Sequence, residues 1–250
     1  MAKPLVYQIT NTVSAQLQAD CVALLGGVSI MSPQKGEAAE IASSCDALLI
    51  NIGTPPDCAR ELYLAAARAA AAAKRPIVMD AVGYGFSRFR TEAADALLSE
   101  IKFSVIKGNF SEIAALCGEG AAPRGVSSEC EETRAAEITA ECARKFGAAV
   151  YCTGERDFLS DAAGVRNEVI EGGSRLLAMT SGIGCALGSA TALFCAEYEP
   201  FKASLRALKL FRRAAALAEK DSASAGPYSF RTAFMDWLAE LNSEEEKNVR

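Results

Sequence analysis

Short apolar runs, each followed by a polar or glycine-rich corner, punctuate the first 150 residues: Leu5–Ile9, Ala47–Ile52, Pro76–Met79, Ser104–Ile106 and Ala148–Cys152. Runs this short and this continuously apolar read as strands buried on both faces, as in parallel sheets. Stretches of strong helix formers separate them. One spans Asp57–Ala73 behind Pro55-Pro56; another spans Thr91–Glu100, with Thr91 as a candidate N-cap. Ser127–Phe146 is charged and apolar by turns, as an amphipathic helix is. Strands alternating with helices predict an α/β fold with a central, mostly parallel sheet and helices on both faces. With no linker and no internal repeat, residues 1–250 are expected to form a single domain.

Past Cys152 the pattern changes. Asp157–Leu176 reads as a short meander of FLSD, VRNEVIEGG and SRLLAM, with turn residues between them. A glycine turn, Ser181-Gly182-Ile183-Gly184-Cys185, leads into a helix over Cys185–Ala196, and helices fill the final third. The charged tail Ser243–Arg250 is expected to fray.

The polar corners carry the candidate chemistry. Ile9-Thr10-Asn11, Asn51-Ile52-Gly53-Thr54, Asp80 to Gly85, Lys107 to Glu112, Thr153-Gly154-Glu155 and Ser181 to Cys185 each follow a strand or open a helix. Open parallel sheets bind ligands beyond the carboxyl ends of their strands, so six corners on one edge point to a site. In Ser181 to Cys185 alternate glycines admit close backbone approach, and the free N–H groups of the next helix favour an anion. A glycine turn between two elements would look the same. Asn109 and Glu112 are spaced to cap a helix, Asn109 as N-cap and Glu112 at N3, a role compatible with positioning metal or water. Asp80 has two readings, as an organiser of Mg²⁺ and phosphate charge or as a turn aspartate bonding its own loop. Thr153 fits a phosphate contact or a plain turn.

Composition narrows the chemistry. Lys plus Arg number 26 and Asp plus Glu 31, a net charge of −5, so no basic face invites nucleic acid. Histidine is absent, which removes the commonest general base and metal ligand and leaves carboxylate, Cys, Lys or Tyr. Nine cysteines lie scattered with no C-x-x-C pair, as expected of reduced thiols in a cytoplasmic protein, and a thiol or redox enzyme is disfavoured. The apolar runs are interrupted by charge, so no membrane span is expected, and no targeting segment precedes the first strand.

The ordered segments PLVYQITN, GGVSIM, ALLINIGT, VMDAVGYG, FRTEAA, VIKGNFSEIAAL, TGERD, SGIGCALGS and GPYSF resemble the hydroxyethylthiazole kinase family over roughly residues 4–240. The resemblance implies a ribokinase-like fold. It also implies transfer of the ATP γ-phosphoryl group to the alcohol of 4-methyl-5-(2-hydroxyethyl)thiazole, in thiamine salvage, by a homotrimer with its thiazole pocket at the subunit boundary. By the same resemblance Asn11, Val13, Met31, Gly53, Thr54, Gly182 and Cys185 line the thiazole pocket. Lys107, Asn109 and Thr153 face ATP, Asp80 and Glu112 serve Mg²⁺ and phosphate, and Gly182 to Cys185, with Gly184, form the catalytic anion loop. A kinase for another small alcohol, or a ligand-binding descendant with weak transfer, is the alternative. Bulk at Tyr84, Ile183 and Tyr228 is expected to narrow the pocket or the ATP groove. Phe211-Arg212-Arg213 stands where the family has a small, glycine-containing segment near the nucleotide.

Overall fold

The computed structural model describes residues 2–119, 128–221 and 226–249. Six strands run parallel: β1 (Leu5–Ile9), β2 (Val28–Met31), β3 (Ala47–Asn51), β4 (Ile77–Asp80), β5 (Val105–Asn109) and β6 (Ala149–Thr153). Two more, β7 (Asp157–Ser160) and β8 (Asn167–Ile170), extend the sheet antiparallel, giving the order β2-β1-β3-β4-β5-β6-β7-β8. Strand order reverses at β1, which pairs with β2 on one side and β3 on the other.

Helices cover both faces, as the alternation predicts. On one face lie α2 (Lys35–Ser44), α3 (Ala59–Ala72), α4 (Arg88–Glu100), α5 (Phe110–Cys117) and α6 (Ser128–Phe146). On the other lie α1 (Ala15–Leu24), α7 (Ile183–Cys195), α8 (Pro200–Lys220) and α9 (Pro227–Val249). The sheet divides the apolar interior into two clusters. Alternate residues of one strand join different clusters: Leu49 packs with Leu187 and Phe230, while Leu48 and Ile50 pack with Leu62 and Ala66. This is the period-2 alternation of a strand buried on both sides.

Several boundaries differ from the sequence reading. β2 was not among the predicted strands; it is a four-residue edge strand with a half-exposed surface, too short and too mixed for a buried run. The meander's third segment is not a strand, since Arg175–Leu177 forms a 3₁₀ turn capped by the Ser174 hydroxyl. α7 begins at Ile183, two residues before the expected Cys185, and the predicted start of α6 at Ser127 lies outside the described residues. The charged tail continues α9 past Ser243 as far as Val249. Arg206 of α8 holds that end by hydrogen bonds to Asn242 and Glu245 at 3.0 and 3.1 Å.

Leu49 is fully buried between the sheet and α7. Leu49→Ala should lower unfolding stability by about 2–5 kcal/mol, measured by urea denaturation, because the site cannot collapse around the missing methyls.

Candidate functional site

The parallel register brings the polar strand ends into one row. Asn51 of β3 pairs with Asp80 of β4, Asp80 with Lys107 of β5, and Lys107 with Tyr151 of β6. In-register residues of parallel strands point to the same face, here the one under α7. Lys107 Nζ donates to Asp80 Oδ1 at 2.6 Å and Asn51 Nδ2 to Asp80 Oδ2 at 2.7 Å. Asp80 is completely buried and Lys107 nearly so. Burial pushes the Asp80 carboxyl up from its ordinary value, against the pull of Lys107 and the Asn51 amide. Burial alone would lower Lys107, yet the facing Asp80 carboxylate holds it above the ordinary lysine value. Both contacts on the Asp80 carboxyl come from donors, Lys107 and Asn51, as suits a carboxylate facing an ammonium.

The chain of bonds continues across the β1 end. Asn11 Nδ2 donates to Asn51 Oδ1 at 3.0 Å and to Cys185 Sγ at 3.2 Å. Asn11 Oδ1 accepts from the backbone N–H and the hydroxyl of Ser14, at 3.0 and 2.9 Å. Gln18 Nε2 donates to Ser14 Oγ at 2.8 Å, and Gln18 Oε1 accepts from Thr10 and Ser189 at 2.8 and 3.1 Å. Asn11 thus uses both donors and both lone pairs within the protein. Its side chain orients Cys185, and Asn51 orients Gly53 as well, whose N–H it accepts at 2.9 Å. Thr54 closes the same corner by accepting the Thr12 N–H at 3.0 Å.

Cys185 sits in the first turn of α7. Gly182 is the N-cap, with φ +94°, and a β-carbon there would lie 2.8 Å from Ser14 Cβ, so glycine alone seats the turn against the start of α1. The first intrahelical bond of α7 runs from the Ala186 N–H to the Gly182 carbonyl. The N–H groups of Ile183, Gly184 and Cys185 precede it, and the space beside Gly184 is open. Ile183 does not fill this loop; its side chain is buried in the core with Leu17 and Leu187. Tyr84 also turns away, donating its hydroxyl to Asp95 of α4 at 2.6 Å. Tyr228 stands 83% exposed at the start of α9.

On the β5–β6 side, Asn109 and Glu112 form the expected capping box of α5. Glu112 also accepts the Gly83 N–H at 2.7 Å, fastening the corner after β4. Thr153 lies opposite Asn109 in the sheet and donates to the Gly108 carbonyl at 3.3 Å. Beyond Thr153 a cavity of about 590 Å³ opens, lined by Gly154, Glu155, Gly172, Gly173, Leu177 and Glu219 among others. Such a volume is ordinary for a small-molecule site. Met31, half-buried, ends the edge strand β2, and Val13 is 73% exposed beside Asn11.

Mg²⁺ fits one member of the expected acidic pair. Both Asp80 oxygens are committed, to Lys107 and Asn51, and the side chain has no open surface, so Asp80 balances the lysine charge and does not present itself to a metal. Glu112 is half-buried and spends one lone pair per oxygen on backbone N–H groups, leaving acceptors for the water shell of a phosphate-bound ion. Among the described residues no cluster of three metal-ligating side chains exists. Lys107, expected at ATP, has its ammonium on Asp80.

The sequence matches the hydroxyethylthiazole kinase family over residues 1–244. The chain belongs to the hydroxyethylthiazole kinase family. Named hydroxyethylthiazole kinases of this family include one from Thermoanaerobacter pseudethanolicus, 35% identical over 97% of this chain and 91% of that one. Another, from Pyrococcus horikoshii, is 38% identical over 96% of this chain and 89% of its own. A solved hydroxyethylthiazole kinase structure from Pyrococcus horikoshii has a TM-score of 0.86 at 35% identity, covering 95% of this chain and 88% of that chain. The ADP complex of Bacillus subtilis pyridoxal kinase shares the ribokinase-like fold with a TM-score of 0.63 at 18% identity, over 91% of this chain and 95% of that one. The bulk at Tyr84 and Ile183 is absorbed by α4 and by the core.

Asn51→Ala removes the amide that satisfies Asp80 and Asn11 and should cost about 1–3 kcal/mol. Asn51→Asp should cost more at neutral pH, because a carboxylate would face the Asp80 carboxylate. The new carboxyl's folded pKa would be raised, so its proton binds the folded state more tightly, and the deficit should shrink as pH falls from about 8 to about 5.5. Urea unfolding at the two pH values checks this.

Proposed function

We propose that the chain transfers the γ-phosphoryl group of ATP to the primary alcohol of 4-methyl-5-(2-hydroxyethyl)thiazole, in thiamine salvage in the cytoplasm. The observation that carries this reading is the meeting of Cys185, held by Asn11, with the open first turn of α7 above the Asn51–Asp80–Lys107 row. The substrate hydroxyl takes its place beside Cys185 Sγ, in line with the γ-phosphorus. The N–H groups of Ile183, Gly184 and Cys185 point where charge develops on the transferring group, and Gly184 adds no side chain to obstruct it. A loose transition state asks for little early deprotonation, so orienting the hydroxyl against Sγ suffices. The substrate oxygen bonds to phosphorus as the bond to the ADP oxygen breaks, and the hydroxyl proton leaves late, to an oxygen of the transferred phosphoryl group or to solvent.

Val13, Met31, Gly53 and Thr54 supply the thiazole side of the pocket, with the Met31 thioether as a polarisable wall for the ring. Thr153 and Asn109 flank the phosphates, and the cavity beyond Thr153 takes the nucleoside end. Mg²⁺ bound to the phosphates supplies neutralising charge. Glu112 holds its water shell, and Lys107 contributes its field from behind Asp80. The exposure of Val13 and of Phe86, 89% exposed, supports a homotrimer whose pocket is completed at a subunit boundary.

Purified protein with Mg²⁺ and ATP should form ADP and phosphorylated thiazole, seen by mass, only when hydroxyethylthiazole is present. Binding of the thiazole without product would replace the kinase reading with that of a ligand-binding descendant. Cys185→Ala should lower kcat by about tenfold or more while thiazole affinity changes by less than about threefold. Glu112→Gln should raise the Mg²⁺ concentration giving half-maximal rate; an unchanged requirement would remove Glu112 from the metal side.

A further inference from the structure

Arg212 lies on α8, within the Phe211-Arg212-Arg213 stretch that the resemblance sets against a small, glycine-containing segment. Its guanidinium commits every donor to the protein. Nε donates to Asp157 Oδ2 at 2.6 Å, and Nη2 to Asp157 Oδ1 at 2.5 Å and to the Gly154 carbonyl at 2.8 Å. Nη1 donates to the carbonyls of Glu155 and Gly172, both at 2.9 Å. A guanidinium has five N–H donors. None remains for a phosphate, although the side chain borders the 590 Å³ cavity beyond Thr153.

What Arg212 binds explains its place. Gly154 and Glu155 belong to the corner between β6 and β7, directly after Thr153, and Gly172 to the segment after β8. One side chain of α8 therefore ties together the two loops that wall the cavity. Gly173, with φ +94°, rests against it so closely that a β-carbon would come 3.0 Å from Arg212 Cδ. Arg212 is 8% exposed and paired bidentately with Asp157, itself buried, so the tie is fixed before any ligand arrives. Loop walls left untied spend only part of their time in a binding arrangement, and apparent affinity falls by that fraction.

We propose that Arg212 is a positioning residue for the phosphoryl donor: it pre-sets the loops that receive the nucleoside end and makes no contact with the donor itself. The proposal rests on the kinase reading only in naming ATP as that donor. The wall it sets, which also includes Arg175, is suited to a planar group bearing hydroxyls. Leu177 and Ala178 offer apolar surface, the glycines offer bare backbone, and Glu155 and Glu219 offer acceptors.

Arg212→Lys keeps the charge and loses the planar fork. It should raise KM for ATP by about tenfold while kcat and KM for the thiazole stay within about twofold. Titration with fluorescent ADP, without thiazole, should weaken by the same factor. Gly173→Ala puts a methyl against Arg212 Cδ and Nη1 and so shifts the second loop or the guanidinium that ties it, and it should raise both values by about threefold. ADP affinity unchanged in folded Arg212→Lys protein would overturn the proposal. So would parallel losses in the ATP and thiazole parameters, which would reduce Arg212 to a support of the fold. Should Arg212→Lys fail to fold, the ADP titration of Gly173→Ala decides by the same signs. Should the parent bind ADP yet leave the thiazole unphosphorylated, the kinase reading falls and the ADP titrations still judge Arg212.

Discussion

Desolvating a carboxylate costs several kcal/mol, and the rest of this site is arranged around meeting that cost at Asp80. The side chain is completely buried at the end of a central strand. Lys107 supplies the counter-charge from the next strand and the Asn51 amide supplies the second bond. Neither partner has freedom to leave, since removing one strands a buried charge. The row in turn sets how closely α7 can descend on the sheet. Gly188 lies directly over the pair, and a β-carbon there would come within 3.3 Å of both Asp80 and Lys107. The height of α7 fixes where its first turn, and with it Cys185, meets the ends of β1 and β3.

The same pair separates roles that the sequence leaves fused. Asp80 and Glu112 look alike as acidic residues after strands, but one is enclosed and charge-matched while the other faces the site's edge with acceptor capacity left. Lys107 and Arg212 look alike as cations near the phosphoryl donor. Both are spent on the protein: Lys107 on one carboxylate, Arg212 on one carboxylate and three backbone carbonyls. Their part in binding is to fix walls and fields.

Much of the fold was legible because buried parallel strands and alanine-rich helices leave distinct signatures, and the order of polar corners followed directly. The edge strand β2 was not, because its mixed surface resembles a loop, and Arg175–Leu177 was misread because a short apolar run carries no period. Among site residues, Asn11, Gly53, Thr54 and Cys185 do come together as their positions after strands and before helices suggest. Asn51 stood in a flagged corner, but its role was not legible. A strand apolar on both faces hides which way a polar residue at its end will point, and only register reveals that Asn51, Asp80 and Lys107 share a face. Ile183, Tyr84 and Arg212 were illegible for a related reason. Bulk read from sequence has no direction, and these three side chains go to the core, to α4 and to loop carbonyls.

The hydrogen bonds from Gln18 through Ser14, Asn11 and Asn51 to Asp80 all run one way, each group donating to the next. An amide has no intrinsic preference between its two ends; here the Asp80 carboxylate, which can only accept, and the backbone N–H groups of Gly53 and Ser14, which can only donate, set the sense of the file together. Reversing the file would turn amide N–H groups onto the N–H groups of Gly53 and Ser14. Cys185, which meets the file at Asn11, would then face a carbonyl oxygen in place of an amide N–H. The charge at Asp80 and the two backbone donors thus give a reference direction to a dipolar wire that branches at Asn11 to the thiol.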